Sequence, residues 1–116
     1  MKNKIIYSQR IEGIRKPLYR FDAHLNGKNI AYLTTEKNKK LNYIWLKGLY
    51  VLKRHRNKKI ATKLIKLALK KYKNKEIRLR ARPYKDKFLK TKQLIKFYKK
   101  FWFKVYDKQN RMVLKA

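Results

Sequence analysis

Between Leu49 and Leu64 the chain changes its period without a glycine or proline to punctuate the change. Tyr43 to Leu52 is dense in apolar and aromatic residues, the pattern of a strand buried on both faces, and from Asn57 the apolar positions recur at helical spacing. A strand whose end feeds the N-terminus of a helix presents several free backbone N–H groups and the positive end of the helix dipole. Such a junction is built to hold phosphate. Arg54, Arg56, Lys58 and Lys59 add full charges around it, and Ala61 leaves the backbone open to close approach.

The elements on either side follow from periodicity. A weak apolar pattern from Ile5 to Ile14 and a second run through Leu18, Phe21, Ala23 and Leu25 predict two strands, and Asn26-Gly27 predicts a type I′ turn into a third strand through Ile30, Tyr32 and Leu33. Glu36 to Lys40 reads as a polar turn. The helix from Asn57 to about Lys73 has Ile60, Leu64, Leu67, Ala68 and Lys71 on one face. A stripe of Lys59, Lys63, Lys66, Lys70 and Lys73 lies on another. Ile77, Leu79 and Ala81 then alternate with Arg78, Arg80 and Arg82, a strand that Pro83 ends. Thr91 is the expected N-cap of a second helix with Leu94, Ile95, Tyr98, Phe101 and Trp102 on its apolar side. A final hairpin joins Phe103–Tyr106 to Met112–Leu114.

Composition narrows the chemistry. A chain of 116 residues is one domain's worth, so residues 1–116 are expected to form a single unit. There is no cysteine, which excludes disulfides, thiolate metal sites and cysteine nucleophiles. His24 and His55 are too few for a zinc constellation, and no metal is expected. No apolar run reaches the length of a membrane span and the N-terminus lacks a signal-peptide pattern, so a cytoplasmic location is expected, that of the host if the source is viral. Lysine and arginine number 36 against six acids, a formal charge of +30. An AT-rich coding sequence would enrich lysine, but it would enrich the acids too. Their scarcity points to a polyanionic partner, nucleic acid or another anionic surface.

Three stretches bear a resemblance to one family. Arg56, Lys59 and Ala61 after Leu49-Tyr50-Val51 are similar to its cofactor motif, Gln/Arg-x-x-Gly-x-Gly/Ala after a strand reading LYV. Phe97-Tyr98-Lys99-Lys100-Phe101-Trp102-Phe103 resembles its FYxxxGF block, and Arg111-Met112-Val113-Leu114 its closing hairpin. The family is the GNAT (GCN5-related N-acetyltransferase) superfamily, and the compact plan, with a helix reading Leu94-Ile95-Lys96-Phe97-Tyr98 and a short final hairpin, resembles its small phage-borne members. Lys59 and Trp102 stand where the family has glycine.

The resemblance implies an α+β fold of three-layer type: a mixed, mostly antiparallel twisted sheet of six to seven strands with two main helices. It implies an N-acetyltransferase using acetyl-CoA, with Leu49, Tyr50, Val51, Arg56, Asn57, Lys58, Lys59, Ile60, Ala61 and Thr62 at the cofactor and Tyr98 as general acid. Read from its residues alone, Tyr98 is a core tyrosine on an apolar helix face. For a general base, Glu36, His24 or a water relay remain open. The abbreviated N-terminal part suits a macromolecular amine acceptor, on a protein or beside RNA. The alternative is a basic nucleic-acid-binding module on the same fold that no longer catalyses.

In either case Arg54, Lys63, Lys66, Lys70, Arg78, Arg80 and Arg82 would form the anion surface. Arg78, Arg80 and Arg82 on one strand face would repel one another unless anions sat among them. Read along the chain, no aromatic residues interleave with the charges at RNA-binding spacing, so binding would be phosphate-led and salt-dependent.

Overall fold

The computed structural model describes residues 4–12, 18–38, 40–56, 59–82 and 90–116. Strands β1 (Ile5–Glu12), β2 (Leu18–Leu25), β3 (Lys28–Asn38) and β4 (Tyr43–Val51) form an antiparallel meander. A short 3-10 turn at Lys53–His55 leads to helix α1 (Ile60–Lys71), then β5 (Ile77–Arg80), α2 (Thr91–Lys99), β6 (Lys104–Val105) and β7 (Arg111–Leu114). The seven strands make one mixed sheet in the order β1-β2-β3-β4-β5-β7-β6, in which only β4 and β5 run parallel. This is the sheet and helix complement implied by the resemblance.

Local chemistry explains the turns. Asn26 (φ 53°) and Gly27 (φ 76°) both sit in the left-handed region, as a type I′ hairpin requires, and their short polar or absent side chains permit it. Helix α1 buries Ile60, Leu64, Ile65 and Ala68, each at 2 % exposure or less. Burying each of the three larger side chains contributes roughly 1.5–3 kcal/mol. The covered sheet face carries Phe21 and Ala23 of β2, Ala31, Leu33 and Thr35 of β3, and Ile44 and Leu46 of β4, all buried. Tyr72, which closes α1, shares a 2.6 Å hydrogen bond with the Thr35 hydroxyl and ties the helix end to that face.

Several boundaries differ from the sequence reading. Glu36 and Lys37 belong to β3, which runs on to Asn38 because Trp45, Ile44 and Tyr43 of β4 pair across from them. Strand β4 is buried on one face only: Ile44 and Leu46 are covered, whereas Tyr43 and Trp45 are half-buried and Lys47 is exposed. Helix α1 begins at Ile60, not Asn57, and Lys71 leaves the apolar face to set its ammonium 3.9 Å from the Tyr19 ring centroid. The N-cap of α2 is Lys90 rather than Thr91, and its backbone N–H donates to the Gln93 side chain at 2.8 Å. Trp102 lies beyond the helix and is 80 % exposed, while Phe101 and Phe103 turn into the core instead. Gly13 to Pro17 and Pro83 lie outside the described residues.

Candidate active site

The sheet opens at its centre. Strand β5 pairs with β4 only at Ile44↔Ile77 and Trp45↔Arg78; Leu79 and Arg80 pair with β7 alone. The cause lies on the other edge of β4, where Thr34 faces Gly48 but Thr35 faces Leu46, so Lys47 is an extra residue in the strand. A bulge of this kind bends the strand and sharpens its twist. From Leu46 to Val51, β4 stays with β3 while no strand among the described residues joins its β5-facing edge. The result is a cleft between two parallel strands, closed at Trp45 and open toward their C-terminal ends.

Helix α1 starts at the open end, because a β4–α1–β5 crossover must leave from the C-terminal end of β4. The first amide bonded within the helix is that of Lys63, donated to the Lys59 carbonyl at 3.1 Å. The amides of Ile60, Ala61 and Thr62 therefore have no acceptor inside the helix. Lys59 precedes them in a left-handed conformation (φ 59°, ψ 22°), and Trp102 is left-handed as well (φ 74°). Both positions where the family pattern has glycine thus keep the backbone geometry that glycine favours, at a cost of roughly 1–2 kcal/mol for a residue with a Cβ.

Arg56 is turned back on the strand: its Nε donates to the Val51 carbonyl at 2.9 Å, and its guanidinium lies 5.5 Å from the Tyr50 ring centroid. It braces the end of β4 while holding a positive charge beside the cleft. Leu49 and Tyr50 are half-buried, Val51 and Ile60 buried, Ala61 and Thr62 half-buried, and Lys59 exposed. Asn57 and Lys58 lie outside the described residues.

Tyr98 reaches the core from α2, 6 % exposed, with its ring 5.3 Å from Phe97 and 5.9 Å from Phe103. Its hydroxyl makes no hydrogen bond to a described residue. Burial pushes the phenol well above its ordinary pKa, so it carries its proton throughout the physiological range. Of the three options for a base, His24 hydrogen-bonds Ser8 at 3.2 Å and has β3 between its strand and β4. Glu36 faces Trp45, the last β4 residue paired with β5, and lies 3.6 Å from the Lys47 ammonium.

The arginine row differs from expectation. Strand β5 ends at Arg80, so Arg82 is not on its face. Arg78 is met by a carboxylate, with Glu76 accepting from its Nε at 2.7 Å, and it stacks 4.5 Å from the Tyr43 centroid and 5.5 Å from that of Tyr106. Arg80 donates to the Gln109 carbonyl at 3.2 Å. No anion is needed to hold these guanidiniums together. Arg54, Lys63, Lys66, Lys70 and Arg82 are exposed, and Lys63 lies 6.0 Å from the Tyr7 ring.

Sequence reasoning missed Asp22, which is 2 % exposed. Arg20 donates to it at 2.6 Å, Asn29 donates at 3.1 Å, and Arg10 approaches to 3.4 Å. The available signal was Arg20 and Asp22 at i, i+2, which share a strand face opposite Phe21 and Ala23.

A family model described as the acetyltransferase (GNAT) family matches residues 4–103. No curated protein matches the chain. Among solved structures, a GNAT family acetyltransferase from Elizabethkingia anophelis with acetyl-CoA bound superposes with a TM-score of 0.70 at 14% identity, over 99% of this chain and 100% of that one. The PaiA N-acetyltransferase from Thermoplasma acidophilum in complex with coenzyme A gives 0.62 at 27% identity, over 84% of this chain and 60% of that one. Arabidopsis thaliana Naa50 in complex with the bisubstrate analogue CoA-Ac-MVNAL gives 0.61 at 21% identity, over 81% and 69%. With the family model spanning most of its length and the opened sheet in place, the chain belongs to the GNAT acetyltransferase family.

Proposed function

We propose that the protein transfers an acetyl group from acetyl-CoA to an amine on a macromolecular acceptor. The observation that carries this reading is the cleft between β4 and β5, which opens onto the amides at the start of α1 that have no acceptor inside the helix. The residues present fit the cosubstrate. A strand edge offers hydrogen bonds to an amide-bearing arm, the amides of Ile60, Ala61 and Thr62 suit phosphate oxygens, and Arg54, Lys59 and Arg56 supply countercharge.

Acetyl-CoA supplies an acyl group activated as a thioester. Backbone amides of Leu49 to Val51 position its arm and polarise the carbonyl. The acceptor amine forms the new C–N bond as the C–S bond breaks, and the Tyr98 hydroxyl holds the proton that the leaving sulfur takes up. Burial suits Tyr98 to this role because it keeps the phenol protonated. The proton lost by the amine passes to Glu36, beside the closed end of the cleft, or to a water relay. A macromolecular acceptor is supported by the abbreviated segment between β1 and β2, and by the bisubstrate analogue in the Naa50 structure.

The test is calorimetric titration of nuclease-treated protein with acetyl-CoA, with ADP as the control for charge attraction alone. Saturable one-to-one binding that persists at moderate salt is the expected result. Binding no tighter than ADP removes the acyltransferase reading. Tyr98→Phe should lower turnover by about 10²–10⁴-fold with acetyl-CoA affinity kept, the usual worth of a positioned acid. Unchanged turnover removes Tyr98 from the reaction.

A further inference from the structure

The sheet face turned away from α1 carries a row that no single segment of the sequence shows. Pairing sets Glu36 of β3, Trp45 of β4 and Arg78 of β5 side by side, and Asn38 faces Tyr43 one step along. Directly paired residues project to the same side of a sheet, so these five share one face. Tyr43 and Trp45 meet edge to face at 6.3 Å, and Arg78 stacks on Tyr43 at 4.5 Å.

Together with Lys37, four of them line a cavity of about 220 Å³. That is smaller than the roughly 300–1,000 Å³ of sites for drug-sized ligands and suits one planar ring system. Its walls combine two aromatic rings, a carboxylate that accepts hydrogen bonds, and an amide. Asn38 is fixed within the fold, donating to the Tyr43 hydroxyl at 3.3 Å and accepting from the Leu41 amide at 3.0 Å.

We propose that this cavity takes an unstacked base of a single-stranded nucleic acid, with Tyr43 and Trp45 as its stacking walls and Arg78 and Lys47 at the adjoining phosphates. Tyr43 and Trp45 follow each other on one face of β4, and aromatic side chains on a sheet face are a recurrent platform for single-stranded bases, which the guanidinium plane of Arg78 on the neighbouring β5 extends. Glu36 suits the exocyclic amino groups of bases, as carboxylates do when they accept from cytosine. Charge decides between occupants. A chain of +30 repels an amine-bearing basic peptide and attracts a phosphate backbone. The proposal does not depend on acetyl transfer, and every titration below is run without acetyl-CoA.

The chain has two tryptophans, and Trp102→Phe leaves Trp45 as the single indole reporter. In that background, ten-nucleotide single-stranded RNA and DNA oligomers should quench Trp45 emission, while heparin and duplex DNA bind without comparable quenching. At 0.2 M salt, Trp45→Leu should weaken oligomer binding by about 5- to 100-fold, the range a single base stack is worth, with heparin affinity unchanged. The emission measurement keeps the pocket intact, so it decides even if Trp45→Leu fails to fold. Equal quenching by heparin, unaltered oligomer affinity in a folded Trp45→Leu, or quenching by a lysine peptide in preference to the oligomers would each overturn the assignment.

Discussion

Lys59 holds φ at 59° at the mouth of the cleft, and the cost of that conformation can be isolated by comparing Lys59→Gly with Lys59→Ala. Both variants remove the same ammonium from an exposed position, so charge effects cancel and the difference reports the backbone alone. A residue with a Cβ pays roughly 1–2 kcal/mol in the left-handed region. Glycine avoids this but loses about 0.4–1 kcal/mol more than alanine through the entropy of its unfolded chain. The balance favours Lys59→Gly by about 0.5–1 kcal/mol. At this chain length, between the size classes for which 1 kcal/mol moves Tm by about 4–8 °C and 2–4 °C, that is a difference of roughly 2–5 °C. Thermal unfolding followed by circular dichroism in 0.5 M salt measures it. A Lys59→Ala variant as stable as Lys59→Gly would refute the left-handed assignment. The same pair bears on the cleft: if phosphate rests against this backbone, Lys59→Gly binds acetyl-CoA more tightly than Lys59→Ala.

Two further outcomes follow from the ion pairs. Asp22→Ala removes the carboxylate that meets the guanidinium of Arg20, itself only 19% exposed. It should cost about 3 kcal/mol in urea unfolding, at the low end for a broken buried pair because Glu12 still lies 3.5 Å from Arg20. Burial pushes the Glu76 carboxyl up, but hydrogen bonds from Arg78 and Lys115 outweigh it and hold the pKa below its ordinary value. Its stabilisation is therefore complete above that ordinary value and lost as pH falls through the folded one. Glu76→Gln should flatten the stability profile below about pH 4 while lowering its plateau, and an unchanged acid limb would contradict the pairing.

Local rules read much of the fold from the chain. Asn26-Gly27 needed only turn chemistry, and the Ile60–Ala68 face needed only helical spacing, because both are decided by neighbours in sequence. Glu36 to Asn38 look like a turn by composition, yet they extend β3 because Tyr43 to Trp45 offer them a ladder. Trp102 fits an apolar helix stripe, but the helix ends at Lys99 and the left-handed turn after Phe101 aims the indole at water. At the site, the junction from strand to helix N-terminus was visible in the sequence. The cleft beside it was not, since it depends on one extra residue at Lys47 and on pairing between strands more than thirty residues apart. The row of Glu36, Trp45 and Arg78 was hidden for the same reason, its members being contributed by three strands.

The two-rung contact between β4 and β5 also leaves the sheet with two additional borders at its middle. A border with no partner strand among the described residues is a template on which another strand can dock, and proteins that keep one exposed must discourage self-association. Here the surrounding surface does so by repulsion: two copies of a chain carrying +30 cannot approach closely at low ionic strength. The cationic excess that draws in a polyanion therefore also keeps the gap accessible to a small ligand rather than to a neighbouring molecule. Salt or a bound polyanion, by neutralising it, weakens that protection.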